Sequence, residues 1–213
     1  MTMAGSYDFE EQERIAELKA WWEDNRWYVA GAIVAAILVF AGWRGWQWWS
    51  VRQAEEAAAL FKPVAEAPKG DEQKLAAAAK PLVDRYPGSY FASEAQLAVA
   101  RAAFDAGHLD EARARLTWVM DHGAAEHRGV ARLRLAAVAL DQKKYDEALK
   151  LLDGNKDEAF APLAADLRGD VMLAQGRLDE ARASYKLAVE KAGPTNPVRS
   201  IAGTKLNALG GQP

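Results

Sequence analysis

The chain has 213 residues, with 27 basic and 30 acidic side chains and no cysteine. Without thiols there can be no disulfide, zinc–thiolate site or thiol catalysis, and the redox compartment stays undecided. The acidity sits in residues 1–51, with four Lys/Arg against seven Asp/Glu; residues 52–213 carry 23 of each, a balance that gives no electrostatic footprint for nucleic acid.

Residues 8–26 read as a helix. Asp8 and Glu11 fit a capping box, and Ile15, Leu18 and Trp22 fall on one face with Trp21 beside them, opposite a charged face. The segment suits an interfacial or partner-docking helix, or equally a solvated lead-in to the apolar stretch beyond Arg26.

Trp27 to Trp43 carries no charge and, at about 1.5 Å per residue, reaches roughly 26 Å as a helix. Extended to Trp49, with Arg44 as its single charge, it reaches about 34 Å. Val29, Ile33, Val34, Ile37, Leu38, Val39 and Phe40 each favour insertion by about 0.3–0.6 kcal/mol. Trp27 and Tyr28 at one rim, and Trp43, Trp46, Trp48 and Trp49 at the other, form two aromatic belts. Arg44 sits where its guanidinium can reach the headgroups. A cleaved signal peptide would need a short basic leader and a small-residue cleavage site, whereas this leader is long and acidic. The reading is therefore one uncleaved membrane-spanning helix, anchored by Trp27, Trp43, Arg44 and Trp46. Gly31, Ala35 and Gly42 form a small-residue stripe that would allow a lateral helix contact. Basic residues near the span tie: Arg14, Lys19 and Arg26 on one side, Arg44, Arg52 and Lys62 on the other. Counting charges therefore does not orient it.

Residues 50–62 continue as helix, with a turn expected at Pro63, Pro68 and Gly70. A helix from Asp71 to about Tyr86 comes next, stopped by Pro87-Gly88, with Pro81 predicting a kink or a split. The sequence then repeats. Leu109-Asp110-Glu111-Ala112, Tyr145-Asp146-Glu147-Ala148 and Leu178-Asp179-Glu180-Ala181 recur at spacings of 36 and 33 residues, each after a short polar turn and between Ala/Leu-rich helices. A period near 34 with helix–turn–helix units is the tetratricopeptide pattern. The register places Ala100, Ala136 and Gly169 at the small position of the first helices. Ala112, Ala148 and Ala181 take that position in the second helices, and Leu116, Leu152 and Tyr185 lie one turn on. The Asp-Glu pairs fall in the first turn of each second helix, a capping role favoured by the helix dipole. Most first-helix aromatics of the pattern are missing, and Asp153-Gly154-Asn155 interrupts the middle unit. Residues 198–209 suit a short capping helix, and Gly210 to Pro213 a frayed end.

The expected fold is all-α: an N-terminal transmembrane helix, then a TPR-like α-solenoid of three to four helical hairpins. Chemistry is poorly supported. His108 lies in a turn, and His122 and His127 are five apart, unlike the four-residue spacing of a zinc pair, so surface histidines are expected. The sequence has neither a nucleophile elbow nor a phosphate-cradling glycine loop. No enzyme activity, cofactor or metal is expected. What remains is a surface: first helices lining a groove for an extended partner segment, with Leu97, Arg101, Phe104, Leu133, Ala137, Leu140, Asp166, Asp170 and Leu173 as candidates, part of the set being expected in the core instead.

Three runs carry a resemblance: Gly42-Trp43-Arg44-Gly45-Trp46, Arg132-Leu133-Arg134-Leu135-Ala136 and Ala164-Ala165-Asp166-Leu167-Arg168-Gly169-Asp170. With Trp21, Trp22 and Asn25 ahead of the span, the chain resembles the YfgM family over nearly its whole length. The resemblance implies a bacterial inner-membrane protein with a cytoplasmic amphipathic segment (1–26), a transmembrane helix (27–49), a juxtamembrane helix and loop (50–70) and a TPR-like periplasmic domain (71–213). It also implies association with the SecYEG translocon and a PpiD-type periplasmic chaperone, and a part in transferring secreted proteins. The rival readings are a periplasmic holdase binding unfolded secreted proteins directly, and an adaptor for another envelope assembly complex.

Overall fold

The structure is a computed structural model that describes the backbone of residues 4–211 and the side chains of residues 14–211. Among the described residues every regular element is helical: α1 (Ala4–Glu66), α2 (Glu72–Arg85), α3 (Tyr90–Asp105), α4 (Leu109–His122), α5 (Ala125–Asp141), α6 (Tyr145–Asp153), a single 3₁₀ turn (Glu158–Phe160), α7 (Ala161–Ala174), α8 (Leu178–Lys191) and α9 (Pro197–Ala208). The chain divides into two units after Gln53.

The first unit is helical throughout its described backbone. Because α1 already runs from Ala4, Asp8 is not at a helix start, and the side chains of Asp8 and Glu11 lie outside the described residues. From Ala30 to Trp46 each residue is exposed, Ile37, Leu38, Val39 and Phe40 by 59 to 73%. A helix apolar all round demands burial on every side. Among the described residues this stretch is exposed rather than buried, and the helix is long and apolar enough to cross a membrane.

In the second unit the last turns of α1 continue past the expected stop at Pro63. The proline removes one amide donor, yet the turn closes beyond it, Ala67 N donating to Pro63 O at 3.1 Å. Pro81 likewise sits within α2 without ending it. It lies on the exposed face, opposite buried Leu75, Ala79 and Leu82, so the carbonyl it leaves unpaired can be met by water. Asp71 caps this helix, its Oδ1 accepting from Lys74 N at 3.0 Å.

Three antiparallel hairpins come next, α3–α4, α5–α6 and α7–α8, with α9 closing the end. The first helices α3, α5 and α7 pack side by side, and α9 continues their row. The expected register holds throughout. Ala112, Ala148 and Ala181 are fully buried, Ala100, Ala136 and Gly169 lie under the facing helices, and Leu116, Leu152 and Tyr185 fill the spaces between them.

Each hairpin turn is a Schellman motif. His108 N, Lys144 N and Arg177 N donate to the carbonyls of Ala103, Ala139 and Met172 at 2.8, 2.8 and 2.9 Å. The left-handed residue each motif needs is Gly107, Lys143 and Gly176. The Asp-Glu pairs do occupy the first turns. However, the cap positions belong to His108, Lys144 and Arg177, none of which makes a side-chain cap bond. Glu111, Glu147, Asp179 and Glu180 pair with arginines instead, while Asp110 accepts from the Gln142 amide. Glu147 receives both Arg113 Nη1 and Nη2 at 2.6 and 2.8 Å, bracing α6 against α4.

The interruption after α6 is a stapled loop. Arg132 donates to Gly154 O at 2.8 Å and Asn155 to Gly129 O at 3.3 Å. Phe160 drops onto Gly129, where a Cβ would come within 2.5 Å of its ring.

Candidate binding surface

The sequence candidates separate once placed. Leu97 and Leu133 are 4 and 3% exposed and lie inside the clusters that join successive hairpins, so they offer nothing to a ligand. A first helix here has neighbours on most of its circumference, and helical period alone does not tell its inward from its sideways faces. Leu140 is half-buried against Ala139, Ala148 and Val171, whereas Leu173 is 40% exposed.

Asp166 and Asp170 are occupied from within. Lys205 of α9 donates to Asp166 Oδ2 at 2.9 Å and to both oxygens of Asp170 at 2.7 and 2.8 Å. The buried Tyr185 hydroxyl donates to Asp170 Oδ1 at 2.8 Å. Burial pushes Asp166 up despite the nearby ammonium. Burial, reinforced by Asp170, pushes the Tyr185 phenol far above the ordinary tyrosine range. The two carboxylates thus latch α9 onto the last hairpin rather than reaching a partner.

Arg101, Phe104 and Ala137 do come together. With Ala100, Leu116, Arg134 and Val138 they line a concavity of about 150 Å³ between α3 and α5. Arg101 spans its rim and binds Asp105 at 2.7 Å. Arg134 was not among the sequence candidates. It lies three residues before Ala137 on one helical face, as Arg101 lies three before Phe104, and that shared spacing was the available signal. Among the described residues Arg134 has neither an ion pair nor a hydrogen bond. Arg134 is exposed, and desolvation by the helices it lies against lowers its pKa from the usual arginine value; Glu94 partly offsets this, and Arg101 adds to it.

The histidines are dispersed. His108 Nδ1 meets Glu72 Oε2 at 2.7 Å, and His122 stacks on Trp118 with centroids 5.6 Å apart. His127, expected on the surface, is 5% exposed instead, its Nε2 at 2.8 Å from Glu94 Oε1 and its ring edge-on to Tyr90. The α4–α5 turn folds this region inward, a long-range effect that local composition does not encode. No group of three potential metal ligands forms among the described residues.

In the first unit the proposed anchor residues Trp27, Trp43, Arg44 and Trp46 are exposed on α1. Arg44 Nη1 donates to Gln47 Oε1 at 3.1 Å, and Arg52 lies over the Trp48 ring at 4.4 Å. Such cation–aromatic pairs suit the headgroup layer.

A family profile described as a tetratricopeptide repeat-like domain matches residues 19–211. The chain is similar to a protein of Neisseria gonorrhoeae, 32% identical over 94% of this chain and 97% of the relative. It is also similar to one of Haemophilus influenzae, 30% identical over 96% and 100%, and to one of Escherichia coli, 28% identical over 93% and 96%. Each of the three is named an ancillary SecYEG translocon subunit.

Proposed function

This chain belongs to the tetratricopeptide repeat-like family of ancillary SecYEG translocon subunits, the YfgM family, and from that premise we propose that it serves as such a subunit in a bacterial inner membrane. In this reading α1 crosses the bilayer once, with the N-terminus cytoplasmic and the repeat unit periplasmic. The repeat unit recruits a PpiD-type chaperone and assists the transfer of secreted proteins. The observation that carries the reading is an apolar helix exposed among the described residues, joined in one chain to a row of helical hairpins and matched over nearly the full length of relatives of that name. Charge counting does not orient the span, so the orientation rests on family likeness.

Co-purification tests the association. Tagged full-length protein, extracted in mild detergent, should retain the channel subunits and the chaperone; their loss under every gentle condition would overturn it. Orientation is separately testable, because the chain has no cysteine and single cysteines can be introduced cleanly. A cysteine at Ser200 should react with an impermeant maleimide from the periplasmic side, and one at Ala16 should not.

A second reading, direct holdase activity toward unfolded secreted proteins, draws support from the apolar lining around Phe104. It requires that the full-length protein in detergent suppress aggregation of a model client.

A further inference from the structure

We propose that one face of α1 is the docking surface for a membrane-spanning helix of another protein. That helix continues past the bilayer on the N-terminal side, where it carries lysine or arginine opposite Asp8 and Glu11.

Position shows why lipid does not cover this face. Ile15, Leu18 and Trp22 are 48, 66 and 51% exposed. At about 1.5 Å per residue, Leu18 and Ile15 lie about 13 and 18 Å before Trp27, which marks the rim of the span. The headgroup layer is only about 5–8 Å deep on each side, so both residues stand beyond it. Laying them down on the bilayer surface needs a sharp bend, and such bends arise at proline, at glycine or at a bulge. The chain has neither glycine nor proline between Gly5 and Gly31, and α1 runs unbroken from Ala4 to Glu66. A line of apolar side chains held in water above a membrane marks a protein contact.

Spacing selects a helix as the occupant. Ile15, Leu18, Trp22 and Asn25 alternate by three and four residues, and Val29, Ala32 and Ala36 carry the same seven-residue repeat into the span. Glu17, Ala20 and Asp24 fall on the opposite side. A narrow seam of this period takes the knobs of one partner helix, whereas an extended segment has no use for it. Inside the bilayer Ala32 and Ala36 let two backbones approach, so one helix can follow the seam from lipid into water.

Charge excludes a second copy of this chain. Two copies share one orientation in the membrane and would pair in parallel. The seam positions before Ile15 are Glu11 and Asp8, and each would face its own twin. Arg14 and Lys19 flank the seam five residues apart, the offset at which one would meet the other across a parallel pair. Every charged contact would then be repulsive. A partner with cations opposite Asp8 and Glu11 turns the seam contacts attractive and rejects the self-pair.

The inference needs the single unbroken span but neither its orientation nor the translocon association, so loss of the channel on co-purification leaves it standing. The test uses full-length protein at high dilution in liposomes, as four single-cysteine variants: Ile15→Cys and Leu18→Cys on the seam, Ala16→Cys and Ala20→Cys off it. The probe is a synthetic peptide with a Leu/Ala span, extended by three heptads with leucine on the seam and lysine opposite Asp8 and Glu11. Its control carries glutamate at those two positions. Without peptide all four variants should react with a water-soluble maleimide at similar rates. With the lysine peptide in excess, the two seam variants should slow about tenfold and the other two should not, while the glutamate peptide protects none. Asp8→Lys combined with Glu11→Lys should reverse the choice of peptide, a result that misfolding of the variant does not mimic. Protection of the seam before peptide is added would mean that lipid covers it if further dilution changes nothing, and a second copy if dilution removes it. Either result overturns the proposal, as do equal protection by both peptides and protection by neither.

Discussion

Gly169 on α7 lies directly beneath the ring of Tyr185 on α8: a Cβ at position 169 would fall 2.5 Å from Tyr185 Cδ1, closer than any real contact. The same two register positions hold Ala100 with Leu116 and Ala136 with Leu152, sixteen residues apart in each hairpin. The last hairpin therefore keeps the combined volume by shrinking one partner and enlarging the other. Gly169→Ala should destabilise by about 1–3 kcal/mol through overpacking, less the roughly 1 kcal/mol that alanine gains in a helix. Gly169→Ala with Tyr185→Leu recreates the pair of the other hairpins and should recover part of the loss. Denaturant unfolding followed by circular dichroism would read both, and strict additivity would refute the coupling.

The latch on α9 predicts an alkaline limit. Burial and Asp170 raise the Tyr185 pKa; burial opposes the Lys205 charge, but hydrogen bonds to Asp170 and Asp166 raise its pKa overall. Both groups hold their protons more tightly folded than unfolded. The stability they contribute is therefore fully present below about pH 10 and is lost as pH rises beyond the unfolded values. Thermal midpoints should fall above that pH, and Tyr185→Phe should flatten the fall. At neutral pH Lys205→Met should cost about 1–3 kcal/mol, reduced from the value for a fully buried pair because Lys205 keeps 31% of its side-chain exposure.

Acid acts on another joint. Hydrogen bonding from Arg113 holds Glu147 below its ordinary value. The stability from that pair is present above about pH 4.5 and disappears as pH falls through the lowered pKa. Asp166 works in the opposite sense: burial raises its pKa, so its ionised form costs stability at neutral pH and protonation relieves that cost. Glu147→Gln should leave neutral-pH stability within about 1 kcal/mol of the wild type, given the exposure of the pair, and should remove part of the acid-induced loss. An unchanged acid limb would count against the assignment.

The repeat register was legible because Ala112, Ala148 and Ala181 recur with the same neighbours, and a small buried residue has few substitutes. The span was legible because residues 27–43 lack any charge. The surface was less so. Leu97 and Arg101 both satisfy a first-helix periodicity, yet one packs against Ala131 and Leu135 while the other lines a void, a distinction set by the neighbouring hairpin. His127 and the Gly129–Phe160 contact were hidden for the same reason, since each joins segments more than 30 residues apart in sequence. Pro63 and Pro81 misled because proline's cost depends on which face of the helix loses its bond.

The span itself can be probed through insertion. Ile37 lies at the middle of the uncharged run and is 59% exposed to what would be lipid. Ile37→Lys places a charge there at a cost of about 3 kcal/mol on the insertion scale, with little chance to snorkel from mid-depth. The variant should shift from the carbonate-resistant membrane pellet toward the soluble fraction, whereas Gln47→Lys near the rim should not. Equal retention of both would mean that this helix is not the anchor.

Lys143 breaks a pattern that its two counterparts keep. The left-handed position of the Schellman turn is glycine at 107 and 176, with φ of 79° and 76°, but lysine at 143, with φ of 58°. A side chain in this conformation brings Cβ against the following carbonyl at a cost of about 1–2 kcal/mol, against which glycine gives up more backbone entropy on folding. The turn is otherwise complete, Lys144 N donating to Ala139 O at 2.8 Å, so the motif tolerates the strain rather than avoiding it. Lys143→Gly should stabilise the protein by about 0.5–1 kcal/mol, the net of the two effects, while Gly107→Ala and Gly176→Ala each destabilise by a similar amount. Denaturant midpoints at constant m-value decide it. A loss of stability in Lys143→Gly would mean that the lysine contributes a favourable interaction at this turn large enough to outweigh its backbone strain.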